Sequence, residues 1–242
     1  MTLCPTKIWV ANLALCLILG PFLVGAKADH GAQTWKNAAP SVVTVNPTWP
    51  GYKKPGFGAP PGTAPAGSGV YIAVDDSKST SFILTAAHVV SRATLVEIVD
   101  RSGRRANAEI LAIDLRRDLA LLRTSLFGQA IMLRRDTPEI GSHVCALGNS
   151  FGLGISISCG VVSAVHRANI KINEIEDFVQ TDAAINPGGS GGALVDAGGN
   201  LVGMVDAIFT KEADIDAGVN FAVSISLIDA WMRDLKVRGD VF

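Results

Sequence analysis

The sequence predicts an all-β fold, a barrel or a sandwich. Three observations carry this expectation. Short segments rich in β-branched and aromatic residues recur along the chain, turn-forming residues separate them, and strands do not alternate with helical periods. The composition agrees: 48% of the 242 residues are hydrophobic and 18% charged, enough for a substantial core, and Gly 25 supplies many tight turns. A formal net charge of -1 gives no electrostatic reason to expect nucleic acid or an anionic membrane surface as a partner.

The elements follow in order. Lys7 precedes a nearly unbroken apolar run over residues 8–24, and Gly25-Ala26-Lys27-Ala28 ends it with small residues at the two positions a signal peptidase reads. Residues 1–28 are therefore expected to be a signal peptide cleaved after Ala28, giving an exported, periplasmic or secreted protein. The rival is an uncleaved membrane anchor, weakened by Asn12, Pro21 and a length slightly short of a span. Strand segments then fall at residues 41–46, 69–74, 81–85, 94–99, 108–113 and 119–122, with His30 in the tail before them. A second series falls at 143–147, 155–165, 178–181, 193–195, 201–205 and 219–223. The Pro- and Gly-rich stretch 47–67 has no apolar period and reads as a long loop. Near the end, Leu227, Ile228, Trp231 and Leu235 have helical spacing, with Ser224 or Ser226 as cap.

Chemistry is suggested by three segments. Asn186-Pro-Gly-Gly-Ser190-Gly-Gly alone is equally a Gly/Ser turn, but its glycines would let backbone N–H groups approach a carbonyl attacked by Ser190. A Gly-x-Ser-x-Gly elbow of the α/β-hydrolase kind requires a histidine after the serine, and His30, His88, His143 and His166 all precede it. His88 lies just past an apolar strand, among small residues that leave a ring edge accessible, whereas His143 and His166 read as ordinary strand residues. Asp118 opens the apolar Leu119-Ala-Leu-Leu, where an unpaired acid would be costly, so a histidine partner is natural. The competing Asp114 reads as a solvated turn residue. Of the cysteines beyond residue 28, Cys145 and Cys159 lie on adjacent apolar segments, either as a disulfide or as two buried thiols. No Cys/His spacing resembles a metal site, and no metal or cofactor is expected.

The order His…Asp…Ser, carried by Leu84-Thr-Ala-Ala-His88-Val-Val, Arg117-Asp118-Leu-Ala-Leu-Leu and Asn186-Pro-Gly-Gly-Ser190, resembles trypsin-like serine proteases, specifically their HtrA/Deg branch. Ala146-Leu-Gly-Asn-Ser-Phe-Gly-Leu153, Gln180-Thr-Asp-Ala-Ala-Ile-Asn186 and Gly218-Val-Asn-Phe-Ala-Val223 are similar to that branch too. The resemblance spans most of residues 36–235. It implies two six-stranded antiparallel β-barrels with a C-terminal helix, residues 29–128 carrying His88 and Asp118 and residues 129–242 carrying Ser190.

It also implies a serine endopeptidase acting on unfolded polypeptides, with a catalytic triad of His88, Asp118 and Ser190. Gly188, Gly189 and Ser190 would form the oxyanion hole, and Ala184, Ile185, Phe209 and Phe221 the wall of an uncharged primary pocket. Homotrimers are common in the branch. Departures are Gly189, where the branch has Asn, and a chain ending about seven residues after the last expected helix, so no PDZ-mediated partner is expected. The glycine-rich turn keeps open a second reading, a latent or inactive protease-fold protein that binds peptides in a chaperone-like manner.

Overall fold

The computed structural model of the chain describes residues 30–50, 66–75, 77, 79–208 and 218–238. Twelve strands among them close two barrels. The first uses β1 (Val42–Thr48), β2 (Gly67–Asp75), β3 (Thr80–Ala86), β4 (Leu95–Val99), β5 (Arg105–Asp114) and β6 (Leu119–Thr124). Around the barrel they run β1-β2-β3-β6-β5-β4, all neighbours antiparallel, with β1 pairing β4 to close it. The second uses β7 (His143–Gly148), β8 (Ser156–Arg167), β9 (Phe178–Thr181), β10 (Ala193–Asp196), β11 (Leu201–Ile208) and β12 (Asn220–Ser224). Its order, β7-β8-β9-β12-β11-β10, repeats that of the first. Closure leaves no exposed sheet edge for another chain to extend.

The strands form where β-branched and aliphatic residues cluster because both barrels are filled from inside. Val43, Val45, Ile83, Leu121 and Ile98 are fully buried in the first barrel, and Leu147, Leu194, Phe178, Met204 and Val223 in the second. β1 runs two residues further than its apolar signal, through Pro47 to Thr48. A proline without an N–H is tolerated there because β1 pairs with β2 only as far as Val45 and continues along β4 alone. Gly67, expected in the long loop, instead opens β2; most of that loop, residues 51–65, lies outside the described residues, as do residues 1–29 with the expected signal peptide.

Helix α1 (His30–Ala38) corrects the reading of His30 as part of a tail. Its buried residues are Thr34 and Ala38 only, too short a pattern for periodicity to register. It is docked by side chains: Thr34 Oγ1 donates to Ala197 O at 3.0 Å and Asn37 Nδ2 to Gly198 O at 2.8 Å, on the β10–β11 turn. Helix α3 (Ile225–Arg238) buries Ile225, Ile228, Trp231 and Leu235. Of the two candidate caps, Ser224 does the work: its Oγ accepts the Leu227 N–H at 3.1 Å and donates to Asp177 Oδ2 at 2.6 Å.

Cys145 and Cys159 face each other across β7 and β8 and are joined by a disulfide, with Cα atoms 4.0 Å apart. The bond closes a loop between residues 14 apart. In the chain-entropy account a loop of this size restricts the unfolded chain enough to contribute about 3 kcal/mol. Replacing both cysteines by serine should therefore lower the unfolding free energy in urea by about 3 kcal/mol; unchanged stability would show that the barrel does not rely on the bond.

Candidate active site

The two barrels meet along a seam of main-chain contacts, and the singled-out residues lie on it. His88 is in α2 (Ala87–Val90), a single turn that follows β3 directly. Ala87 and Val89 are buried while the His88 side chain is 52% exposed, so small and apolar neighbours root the turn and leave the imidazole at the surface. Asp118 is the last residue of the loop joining β5 to β6, in a left-handed conformation with φ 56 that a non-glycine residue adopts only at a cost of about 1 kcal/mol or more. Asp114 organises that loop: its Oδ1 accepts the N–H groups of Arg116 (2.9 Å) and Arg117 (3.2 Å), and its Oδ2 pairs with Arg117 Nη1 at 2.6 Å. The turn acid therefore presents the other acid.

Asp118 is 6% exposed and clamps His88 from three directions. Its Oδ2 lies 2.6 Å from His88 Nδ1, its Oδ1 accepts the His88 main-chain N–H at 2.7 Å, and its carbonyl accepts the Ala87 N–H at 3.2 Å. The pairing leaves Nε2 as the ring nitrogen available to a nucleophile. Burial works against the imidazolium, but the hydrogen bond and charge of Asp118 outweigh it and hold His88 above its ordinary pKa.

Ser190 sits on the turn between β9 and β10. Ser68 of β2 ties this turn to the first barrel. The Ser68 N–H donates to Ser190 O at 2.8 Å, its Oγ donates to Gly188 O at 2.7 Å, and the same Oγ accepts the Asn149 N–H at 2.8 Å. Two glycines here combine a positive φ with no room for a Cβ. Gly188 has φ 95 and a Cβ on it would lie 2.4 Å from Asn149 O; Gly191 has φ 84 and its Cβ would lie 2.2 Å from Ser68 O. Gly189 is not so constrained: its nearest neighbour to a Cβ is Asn186 O at 3.0 Å.

The three expected oxyanion donors differ. The Gly189 N–H is committed to Asn186 O at 2.9 Å, which closes the turn. The N–H groups of Gly188 and Ser190 have no hydrogen-bond partner among the described residues. The Ser190 hydroxyl donates to the main-chain carbonyl of Asp206 at 3.1 Å rather than to His88.

Ala184 and Ile185 line a small cleft beside the turn, together with Leu147, Ser158, Gly189 and Val205, none of them charged. Phe221 does not line this cleft; it is 3% exposed and packs against Phe178 with ring centroids 5.7 Å apart. Phe209 lies outside the described residues.

One residue at the site was not anticipated. Asp206, in β11, is 5% exposed and brings a carboxyl oxygen within 4.8 Å of polar atoms of Asp118 and His88. Its signal is visible in hindsight: a lone acid within the apolar Leu201-Val-Gly-Met-Val-Asp206-Ala-Ile, the same kind of burial-prone acid as Asp118. Burial, then the charge and hydrogen bond of Asp118, push its carboxyl well above the usual carboxylate range, against a smaller opposing pull from His88 and Asn173. Single atoms of His88, Asp118 and Asp206 lie within 4.8 Å of one another, with His88 Nδ1 2.6 Å from Asp118 Oδ2. His143, Cys145 and Cys159 also cluster, and there the disulfide removes both thiolates.

Comparison with known proteins agrees with this geometry. The family model for the trypsin-like peptidase domain matches residues 67–204. The periplasmic serine endoprotease DegP of Escherichia coli is 35% identical over 178 residues, 72% of this chain and 36% of its own length. The periplasmic pH-dependent serine endoprotease DegQ of the same organism is 34% identical, over 72% of this chain and 38% of its own. The chain thus spans little more than a third of the length of these curated relatives. Among solved structures, the HtrA-type protease AlgW with a tripeptide superposes with a TM-score of 0.75 at 35% identity, over 87% of this chain and 64% of that one. With two closed six-stranded barrels, a His88–Asp118 pair and these relatives, the chain belongs to the trypsin-like peptidase domain family, and its similarity is to HtrA-type proteases.

Proposed function

We propose that the chain is an exported serine endopeptidase that cleaves polypeptides through His88, Asp118 and Ser190. The observation that carries this is the double clamp of Asp118 on His88, which fixes the tautomer a general base needs, beside a serine turn with two unpartnered N–H groups. In the proposed cycle Nε2 of His88 takes the Ser190 proton as Oγ adds to the scissile carbonyl. Gly188 and Ser190 N–H groups receive the oxyanion, and His88 returns the proton to the leaving amine. Water, activated by the same nitrogen, then releases the acyl-enzyme. Periplasmic relatives and the apolar N-terminal segment support export, with cleavage after Ala28.

A second reading is favoured by one bond. Because the Ser190 hydroxyl rests on the Asp206 carbonyl, the structure fits a latent enzyme whose serine turns to His88 when substrate arrives. Pre-incubation with a peptide that speeds fluorophosphonate labelling would support latency; labelling at one rate throughout would remove it.

Ser190→Ala should abolish both fluorophosphonate labelling and casein cleavage while leaving the circular dichroism spectrum unchanged; a cleaving variant ends the proposal. Since neutral His88 is the base and its pKa is raised, wild-type labelling should rise with pH and reach half-maximum above the ordinary imidazole value of about 6.5. The uncharged cleft predicts small aliphatic residues before the cut, and a peptide library dominated by Lys or Arg there would contradict it. Mass spectrometry of the exported protein should find Asp29 at its N-terminus; a retained Met1 would favour an anchor instead.

A further inference from the structure

Asp206 is a buried acid with no part in the His88–Asp118–Ser190 cycle, and its placement is specific. The β11–β12 register shifts between Val205 and Ala207, so Asp206 is the extra residue of a β-bulge. Bulges re-aim a side chain, and this one turns a carboxyl toward the base of the triad. Three groups meet it there. Asp118, from the loop before β6, and His88, from α2, each bring a polar atom within 4.8 Å of its carboxyl; Asn173, from the segment between β8 and β9, donates Nδ2 to its Oδ2 at 2.6 Å. Of the acids on that segment, Glu174 pairs with Arg116, Glu176 accepts the N–H groups of Ile170, Ile172 and Asn173, and Asp177 pairs with His166 and accepts Ser224 Oγ. Arg117, whose carbonyl also receives Asn173, pairs with Asp114.

Two carboxyl groups buried this close to one another require a proton on one of them. Asp118 is the anion, because Oδ1 and Oδ2 already accept from the main chain and ring of His88. The proton therefore belongs to Asp206. We propose that Asp206 is a positioning residue that works as a neutral carboxylic acid, donating to Asp118 and so fixing the carboxylate that orients His88. A buried carboxyl kept neutral in order to donate has precedent in enzyme sites.

This rests on the protease reading, since it assigns a role within that triad. Loss of the Asp206 proton breaks the bond to Asp118 and adds a second negative charge beside His88. The imidazolium is then favoured and the clamp loosened. The working cluster thus holds one proton between two carboxyls and a neutral histidine. Acid ends it by protonating His88, and alkali ends it by ionising Asp206.

The test pairs a direct titration with an activity profile. The His88 ring is followed by NMR against pH in the Ser190→Ala protein, with and without Asp206→Asn, which keeps the shape and a donor but cannot ionise. With Asp206 present, the His88 resonance should show its main transition and a second shift at alkaline pH. With Asp206→Asn the main midpoint should stay near its wild-type position, because Asp206 is neutral there, and the second shift should disappear; identical curves would overturn the proposal. In the Ser190-containing protein, Asp206→Asn should keep fluorophosphonate labelling near neutrality and remove its alkaline decline, while Asp206→Leu, which has no donor, should lose about tenfold or more. Equal losses in both variants with unmoved pH limits would make Asp206 merely structural. Wild-type protein that never labels would instead defeat the protease reading, and the NMR arm would still decide the place of the Asp206 proton.

Discussion

The structure depends on Ser68. One residue of the first barrel supplies a main-chain donor to Ser190, a hydroxyl donor to Gly188 and an acceptor to Asn149. Its own carbonyl accepts Thr85 Oγ1 at 2.7 Å, next to the turn that carries His88. The base and the nucleophile come from different barrels, so their separation is set by how the barrels dock. Docking through short main-chain bonds, with glycines where a Cβ would collide, leaves little room for sliding. Asn149 extends the seam, donating Nδ2 to Thr44 Oγ1 at 3.0 Å and accepting the Gly154 N–H through Oδ1 at 2.7 Å.

Electrostatics add a second constraint. Two acids, each about 5% exposed, share one small volume with an imidazole, and such a group cannot hold two bare carboxylates. With one proton between the two acids, the cluster carries a single negative charge when His88 is neutral. Coupled groups of this kind titrate as a unit, so the pH response belongs to the cluster and not to any one side chain.

The fold was legible because most strands are short, rich in β-branched residues and bounded by turn residues. What escaped was either too short or non-periodic. Helix α1 buries two residues, and its docking depends on Thr34 and Asn37 side chains meeting a turn about 160 residues away. At the site, Asp118 stood out as an acid at the head of an apolar strand. Asp206 carries the same signature, but period-2 reading gives no sign of the bulge that aims it, since a bulge exists only in the pairing with β12. Likewise Gly188, Gly189 and Ser190 are alike in sequence as N–H donors. Only the turn's own bond to Asn186 distinguishes the committed one.

The disulfide has a further consequence for how the chain reaches this state. Cys145 and Cys159 oppose each other in one register of β7 on β8 only, and a slip of one residue would send the two side chains to opposite faces. Oxidation therefore acts as a proofreading step on the hairpin. It traps the alignment that also brings Gly148 opposite Ser156 and delivers Asn149 to Ser68. A chain oxidised in this way has already committed the β7 end of the seam before the serine turn, almost thirty residues further on, has to find it.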